Sequence, residues 1–158
     1  MFDAMTKSAE IWLMVDPVGD QVAPVSTRAF KTVTAPVSRV LARNCVALFL
    51  DPEGRVHRIE AIHPQRPGPL CMLRLWLGQA TPARFVFEPV DAPLDDIRTM
   101  VLDAMMYSRK NGAKLRADWW LFTASEAQVR TQLATAQSLA ELHAMMRFPA
   151  EENCLDLL

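Results

Sequence analysis

A chain of 158 residues, 51% of them hydrophobic, suits one domain with an ordinary core, and its composition is not that of a disordered chain. Its 17 Lys and Arg against 18 Asp and Glu leave a formal charge of −1, so composition offers no field of one sign for bulk nucleic-acid or membrane binding. Three scattered cysteines, Cys45, Cys71 and Cys154, form neither a disulfide framework nor a CxxC pair, and the expected setting is a reduced cytoplasm.

Residues 1–24 read as an extension with at most one short strand, because Pro, Gly and Asp interrupt them. The apolar run Ile11 to Val15 is far short of the ~20 residues of a membrane helix, and no basic leader precedes it, so no export signal or spanning segment is expected. Ile11, Trp12, Leu13 and Met14 form a patch that docks on the core or on a partner, the core being the plainer reading. Residues 25–147 read as the single domain. Ser26 caps a helix carrying Phe30, Val33, Val37, Val40 and Leu41, kinked or divided by Pro36. Cys45 to Leu50 is an apolar strand, Asp51-Pro52-Glu53-Gly54 a turn, and Arg55 to Ile62 the returning strand. Leu70, Leu73, Trp76 and Leu77 then recur at helical spacing up to Gly78, although so short a run also suits a strand.

The chain is expected to be organised around the stretch from Ala83 to Thr123, which reads as strand, turn, long helix, turn and strand. Phe85, Val86 and Phe87 form a β-type run, broken by Pro89, Asp91 and Pro93. A long helix follows, with Asp95 and Asp96 at its positive end, Arg109 and Lys110 at its negative end, and Asn111-Gly112 as its stop. Ile97, Val101, Ala104, Met105 and Ser108 mark its sheet-facing side. Trp119, Trp120, Leu121 and Phe122 have the bulk of a strand buried on both faces. Ser125 with Gln128 and Ser138 with Glu141 match capping boxes, so two helices close the domain, with apolar stripes from Val129 and Leu133 and from Leu139, Leu142 and Met146. Residues 148–158 form an acidic tail with three leucines. The fold class is therefore α/β of the α+β kind: a small mixed sheet with an N-terminal hairpin, flanked by helices, and two helices at the C-terminal end.

In this order the chain resembles the JAB/MPN domain of the JAMM metalloproteases, most closely its RadC-like branch. VALFLDPEGRVHRIEAI is similar to that branch's hairpin, PLCMLRLWLG to its short helix, RFVFEPV to the strand that enters its metal motif, and LDDIRTMVLDAMMYSRKNGAKLRADWWLF to the helix and strand that follow. The resemblance implies zinc held by a His-x-His pair and an Asp, with a Glu activating the bound water, because two imidazoles and a carboxylate leave one position for water and lower its pKa to about 7. Here the His-x-His positions read Glu88-Pro89-Val90, the serine position is Pro93 or its neighbour, Asp96 matches the ligand aspartate, and Glu60 matches the general base approximately. Lacking both imidazoles, the chain is expected to be non-catalytic and without cofactor; zinc belongs to the alternative, a divergent hydrolase using Asp96, Glu60 and a recruited histidine.

Other constellations are sparse. His57 and His63 flank Glu60 without a known ligand spacing, and a solvent-facing strand edge explains them as well. His143 reads as packing or surface. Cys45 and Cys71 sit in apolar runs that suit no activated thiol. The glycines form no phosphate loop and no GxSxG elbow. Glu88, Asp91, Asp95 and Asp96 cluster at a helix start, which is ordinary there and otherwise a weak cation site. Arg109, Lys110, Lys114 and Arg116 lie near Trp119-Trp120 and define a nucleic-acid alternative. The function that follows is an interaction or scaffold module in the bacterial cytoplasm, with a protein partner or a second copy of the chain, nucleic acid as the lesser alternative, and no membrane.

Overall fold

Leu13, Met14 and Val15, and again Leu48, Phe49 and Leu50, are apolar without alternation, the pattern of strands buried on both faces. The computed structural model, which describes residues 9–17, 21–110, 119–150 and 154, builds them into the middle of one sheet. Its strands are β1 (Ile11–Asp16), β2 (Gln21–Ser26), β3 (Thr32–Val33), β4 (Leu48–Leu50), β5 (Val56–Pro64) and β6 (Thr81–Val90). Their order is β2-β1-β4-β5-β6-β3, and every pairing is antiparallel.

Helices cover both faces. On one lie α3 (Leu94–Lys110), the single turn α4 (Trp120–Thr123), α5 (Glu126–Thr135) and α6 (Leu139–Ala144); on the other lie a 3-10 helix (Thr27–Lys31), α1 (Val37–Asn44) and α2 (Pro69–Trp76). Alternation along each strand divides the core accordingly. Leu13, Val15, Leu50 and Val56 join Ile97, Val101, Met105 and Leu133 on the first face, while Met14, Phe49, Ile59 and Ile62 join Phe30, Val40 and Leu75 on the second. The expected α+β class is therefore what forms, although the sheet expected to be mixed is antiparallel throughout.

Three expectations are corrected. The first 24 residues are no simple extension with at most one strand, because Ile11–Asp16 pairs with both β2 and β4 and lies inside the sheet. Ser26 does cap a helix, its hydroxyl accepting from Arg28 N, but that helix is a single 3-10 segment; Thr32–Val33 then pairs with β6, and α1 starts only after Pro36. The aromatic run at Trp119 is not a strand. Trp119 Nε1 and Trp120 Nε1 both donate to Met146 O, at 2.7 and 2.5 Å, which neighbours on opposite faces of a strand do not achieve. Asn111-Gly112 lies outside the described residues.

The DPEG turn forms as read, between β4, which is shortened to Leu48–Leu50 because Cys45 and Val46 turn after α1, and β5. Asp51 O accepts from Gly54 N, and Gly54, with φ +85°, closes the turn in a conformation few side chains tolerate. Ser125 and Gln128 make the full capping box. At Ser138 the hydroxyl caps Glu141 N, while the Glu141 carboxylate reaches one residue further back, to Gln137 N.

Candidate functional site

Helix α2 has no polar side of its own: apart from Arg74, PLCMLRLW is apolar in every direction. Cys71 and Leu75, four residues apart, take the core side. The remaining large side chains face outward, with Leu70 63%, Leu73 55%, Trp76 65% and Leu77 64% exposed, and Met72 half-exposed beside them. At roughly 100° per residue Leu73 stands opposite the mean direction of Cys71 and Leu75, with Trp76 on one flank and Leu70 and Leu77 on the other. The result is an apolar crest on the order of 500 Å², at the upper end of what single-chain proteins expose. The helical spacing of Leu70, Leu73, Trp76 and Leu77 was legible in the sequence, but it marks the outward face.

Cations rim the crest. The Arg39 guanidinium of α1 lies 5.7 Å from the centre of the Trp76 ring. Arg43 follows it one turn on, on the same side of α1. On the opposite flank, Arg66 and Arg74 join Leu70, Cys71 and Thr81 around a cleft of about 320 Å³ between α2 and β6. Gln65 links this cleft to an open hollow lined by Lys31, His63 and Arg84. No carboxylate residue occurs between Gln21 and Leu50, or between Ala61 and Phe87. Among the described residues, no ion pair engages Arg39, Arg43, Arg66, Arg74 or Arg84.

A second polar cluster lies at the β4–β5 turn. The Asp51 side chain, 1% exposed, accepts from Glu53 N and Arg55 N through Oδ1 and from Arg55 Nε and His57 Nε2 through Oδ2. Burial pushes its pKa up, but the hydrogen bonds from His57 and Arg55 outweigh it and hold the carboxyl below its usual value. His57 is stacked on Trp12, centroids 4.8 Å apart, with Phe87 against its edge. The Asp51 carboxylate binds the backbone of Glu53 and Arg55 and the side chains of Arg55 and His57, so the cluster staples the hairpin.

The sequence-derived candidates are not brought together. Glu60 is the extra residue at the bulge between Ile59 and Ala61 of β5, and it is exposed. Asp96 is exposed in the first turn of α3, and Glu88 is paired with Arg58 across β5–β6. His57 is held by Asp51, and His63 lies six residues further along the same strand, about 20 Å at 3.3 Å per residue. Among the described residues no group of three His, Cys, Asp or Glu side chains is placed to hold a metal, so Glu60, Glu88 and Asp96 do not fit zinc. Asp91 is exposed and Asp95 pairs with Arg98.

Cys45 is exposed in the turn after α1 rather than inside a strand, and Cys71 is buried. His143 Nε2 donates to Ile11 O at 2.8 Å and ties α6 to β1. Arg109 donates through Nη2 to Leu121 O, at 2.7 Å, and to Ala124 O, which commits it to the end of α4. Lys110 is exposed at the last position of α3; Lys114 and Arg116 lie outside the described residues.

Comparison with protein-family models, with curated proteins and with solved structures finds no match to this chain. Among the described residues no helix is long and apolar enough to cross a membrane.

Proposed function

We propose that this chain is a non-catalytic docking module whose working surface is the α1–α2 layer. The observation that carries the reading is the crest of Leu70, Leu73, Trp76 and Leu77, exposed while most of the described apolar side chains pack into two cores. Desolvating such a crest stabilises a contact, and the arginines beside it supply orientation through charge. The free thiols of Cys45, Cys71 and Cys154 are compatible with a cytoplasmic setting. The JAB/MPN resemblance enters as an emptied scaffold: Glu88 is occupied by Arg58, and Glu60 and Asp96 stand exposed on different elements. A scaffold that has lost its ligands keeps its surfaces, and a contact surface is what α2 offers.

The test is a photoreactive benzophenone amino acid placed at position 73 and, as a control, at position 103 on the exposed side of α3, irradiated in intact cells. Adducts at 73 with none at 103 are expected, whatever the captured species. Equal yields at the two positions, or none at 73, would remove α2 as a working surface.

A further inference from the structure

The crest and its cations fit one kind of surface better than others. We infer that α2 lies on an anionic lipid bilayer, its outward side chains entering the interface while the flanking arginines hold lipid phosphates; this rests on the docking-module reading above.

The argument is one of shape and charge. A helix surface is convex, and on the helical wheel Leu73 stands opposite the core-facing Cys71 and Leu75, between the exposed Leu70, Trp76 and Leu77. A folded protein partner must offer a groove of matching shape, whereas a bilayer accommodates a ridge of Leu, Met and Trp without one. Trp76, with its ring between apolar neighbours and the Arg39 guanidinium, has the composition of the interfacial belt. Cations stand on both flanks, Arg39 and Arg43 on one and Arg66 and Arg74 on the other, so a planar array of phosphates meets both at once.

Other occupants fare worse. In a two-fold contact between copies through α2, the arginine-flanked crest would face itself and oppose like charges. The crest also falls below the ~800 Å² per partner of a standard interface. Nucleic acid would use the arginines and Trp76 but leave Leu70, Met72, Leu73 and Leu77 against phosphate and water. An eight-residue helix is about 12 Å long, so α2 rests in the plane of the interface and does not span it.

The experiment is flotation of the whole chain with vesicles of phosphatidylcholine alone and of phosphatidylcholine with an equal share of phosphatidylglycerol. Binding to the anionic vesicles at least about tenfold stronger than to the neutral ones, and weakening as salt rises, is expected. Leu73→Glu with Trp76→Glu should cut that binding about tenfold or more, and Arg66→Gln with Arg74→Gln should flatten its salt dependence. These positions are exposed, so the melting temperature should hold; Leu73→Ser serves where the double variant does not fold. Equal binding to both vesicle types, or none, overturns the inference. Absence of vesicle binding with protein adducts at position 73 assigns the crest to a protein and leaves the docking module standing; absence of both removes the two together.

Discussion

Asp51 and His57 are joined by a 2.8 Å hydrogen bond in which the imidazole Nε2 donates to a carboxylate hidden from solvent. The same carboxylate holds the backbone of Glu53 and Arg55, so one side chain fixes both the turn and the register of β4 against β5. Asp51→Ala should leave two backbone N–H groups and His57 without their acceptor, at a cost of about 2–4 kcal/mol in denaturant unfolding at pH 7. The pH dependence has a definite sign. Because the folded carboxyl sits below its usual 3.8, its contribution is complete above that value and is lost as pH falls through the folded one. Wild-type stability should therefore drop more steeply below pH 4 than that of Asp51→Asn, and parallel curves would show that Asp51 is not the group responsible.

Gly54 tests the other side of the same turn. A Cβ there would stand 2.7 Å from Ala140 N, at the start of α6, and φ is +85°. Gly78 has a similar φ of +70° but meets only Thr34 O at 4.0 Å. Gly78→Ala should thus cost about 1–2 kcal/mol for conformation alone, and Gly54→Ala at least ~1 kcal/mol more for the collision with backbone. Equal losses in thermal or urea unfolding would mean that α6 yields to the turn.

What the sequence disclosed follows from which signals are local. The DPEG turn, the caps at Ser125 and Ser138 and the core face of α3 depend on residues within a few positions of one another, and they form as their chemistry dictates. The Trp119 run depends on distant partners, Met146 O and Arg109, and only the tertiary contact makes it helical. Ile11–Asp16 pairs locally with β2, and what places the strand inside the sheet is its second partner β4, more than thirty residues away. For α2, both faces of the helix were apolar in sequence, which guaranteed an unspent face without revealing which one. A net charge of −1 concealed the segregation of charge: cations without carboxylates from Gln21 to Leu50 and Ala61 to Phe87 are balanced by acids elsewhere in the chain.

Arg109 distinguishes a structural cation from a nucleic-acid contact. Its guanidinium terminates α4 by donating to Leu121 O and Ala124 O. Arg109→Met keeps the stem and removes the donors, leaving two partly buried carbonyls, and should lower stability by about 1.5–3 kcal/mol. It should leave no trace in the salt dependence of any residual DNA or RNA binding. An unchanged melting temperature combined with weakened nucleic-acid binding would instead assign Arg109 to the phosphate backbone.

Zinc addition tests the proposed docking module against the hydrolase alternative. A resident zinc site couples binding to folding, so a stoichiometric ion would raise the melting temperature by several degrees and be retained through dialysis. With Glu88 held by Arg58, and with Glu60 and Asp96 exposed on a bulge and a helix, these carboxylates do not converge. Zinc should therefore shift the melting temperature of the wild type and of Asp96→Ala equally, by less than about 1 °C, and mass spectrometry of the dialysed protein should find it substoichiometric. A shift of several degrees that Asp96→Ala or Glu60→Ala abolishes would mean that the acids gather around the ion after all, and the hydrolase reading would displace the docking module.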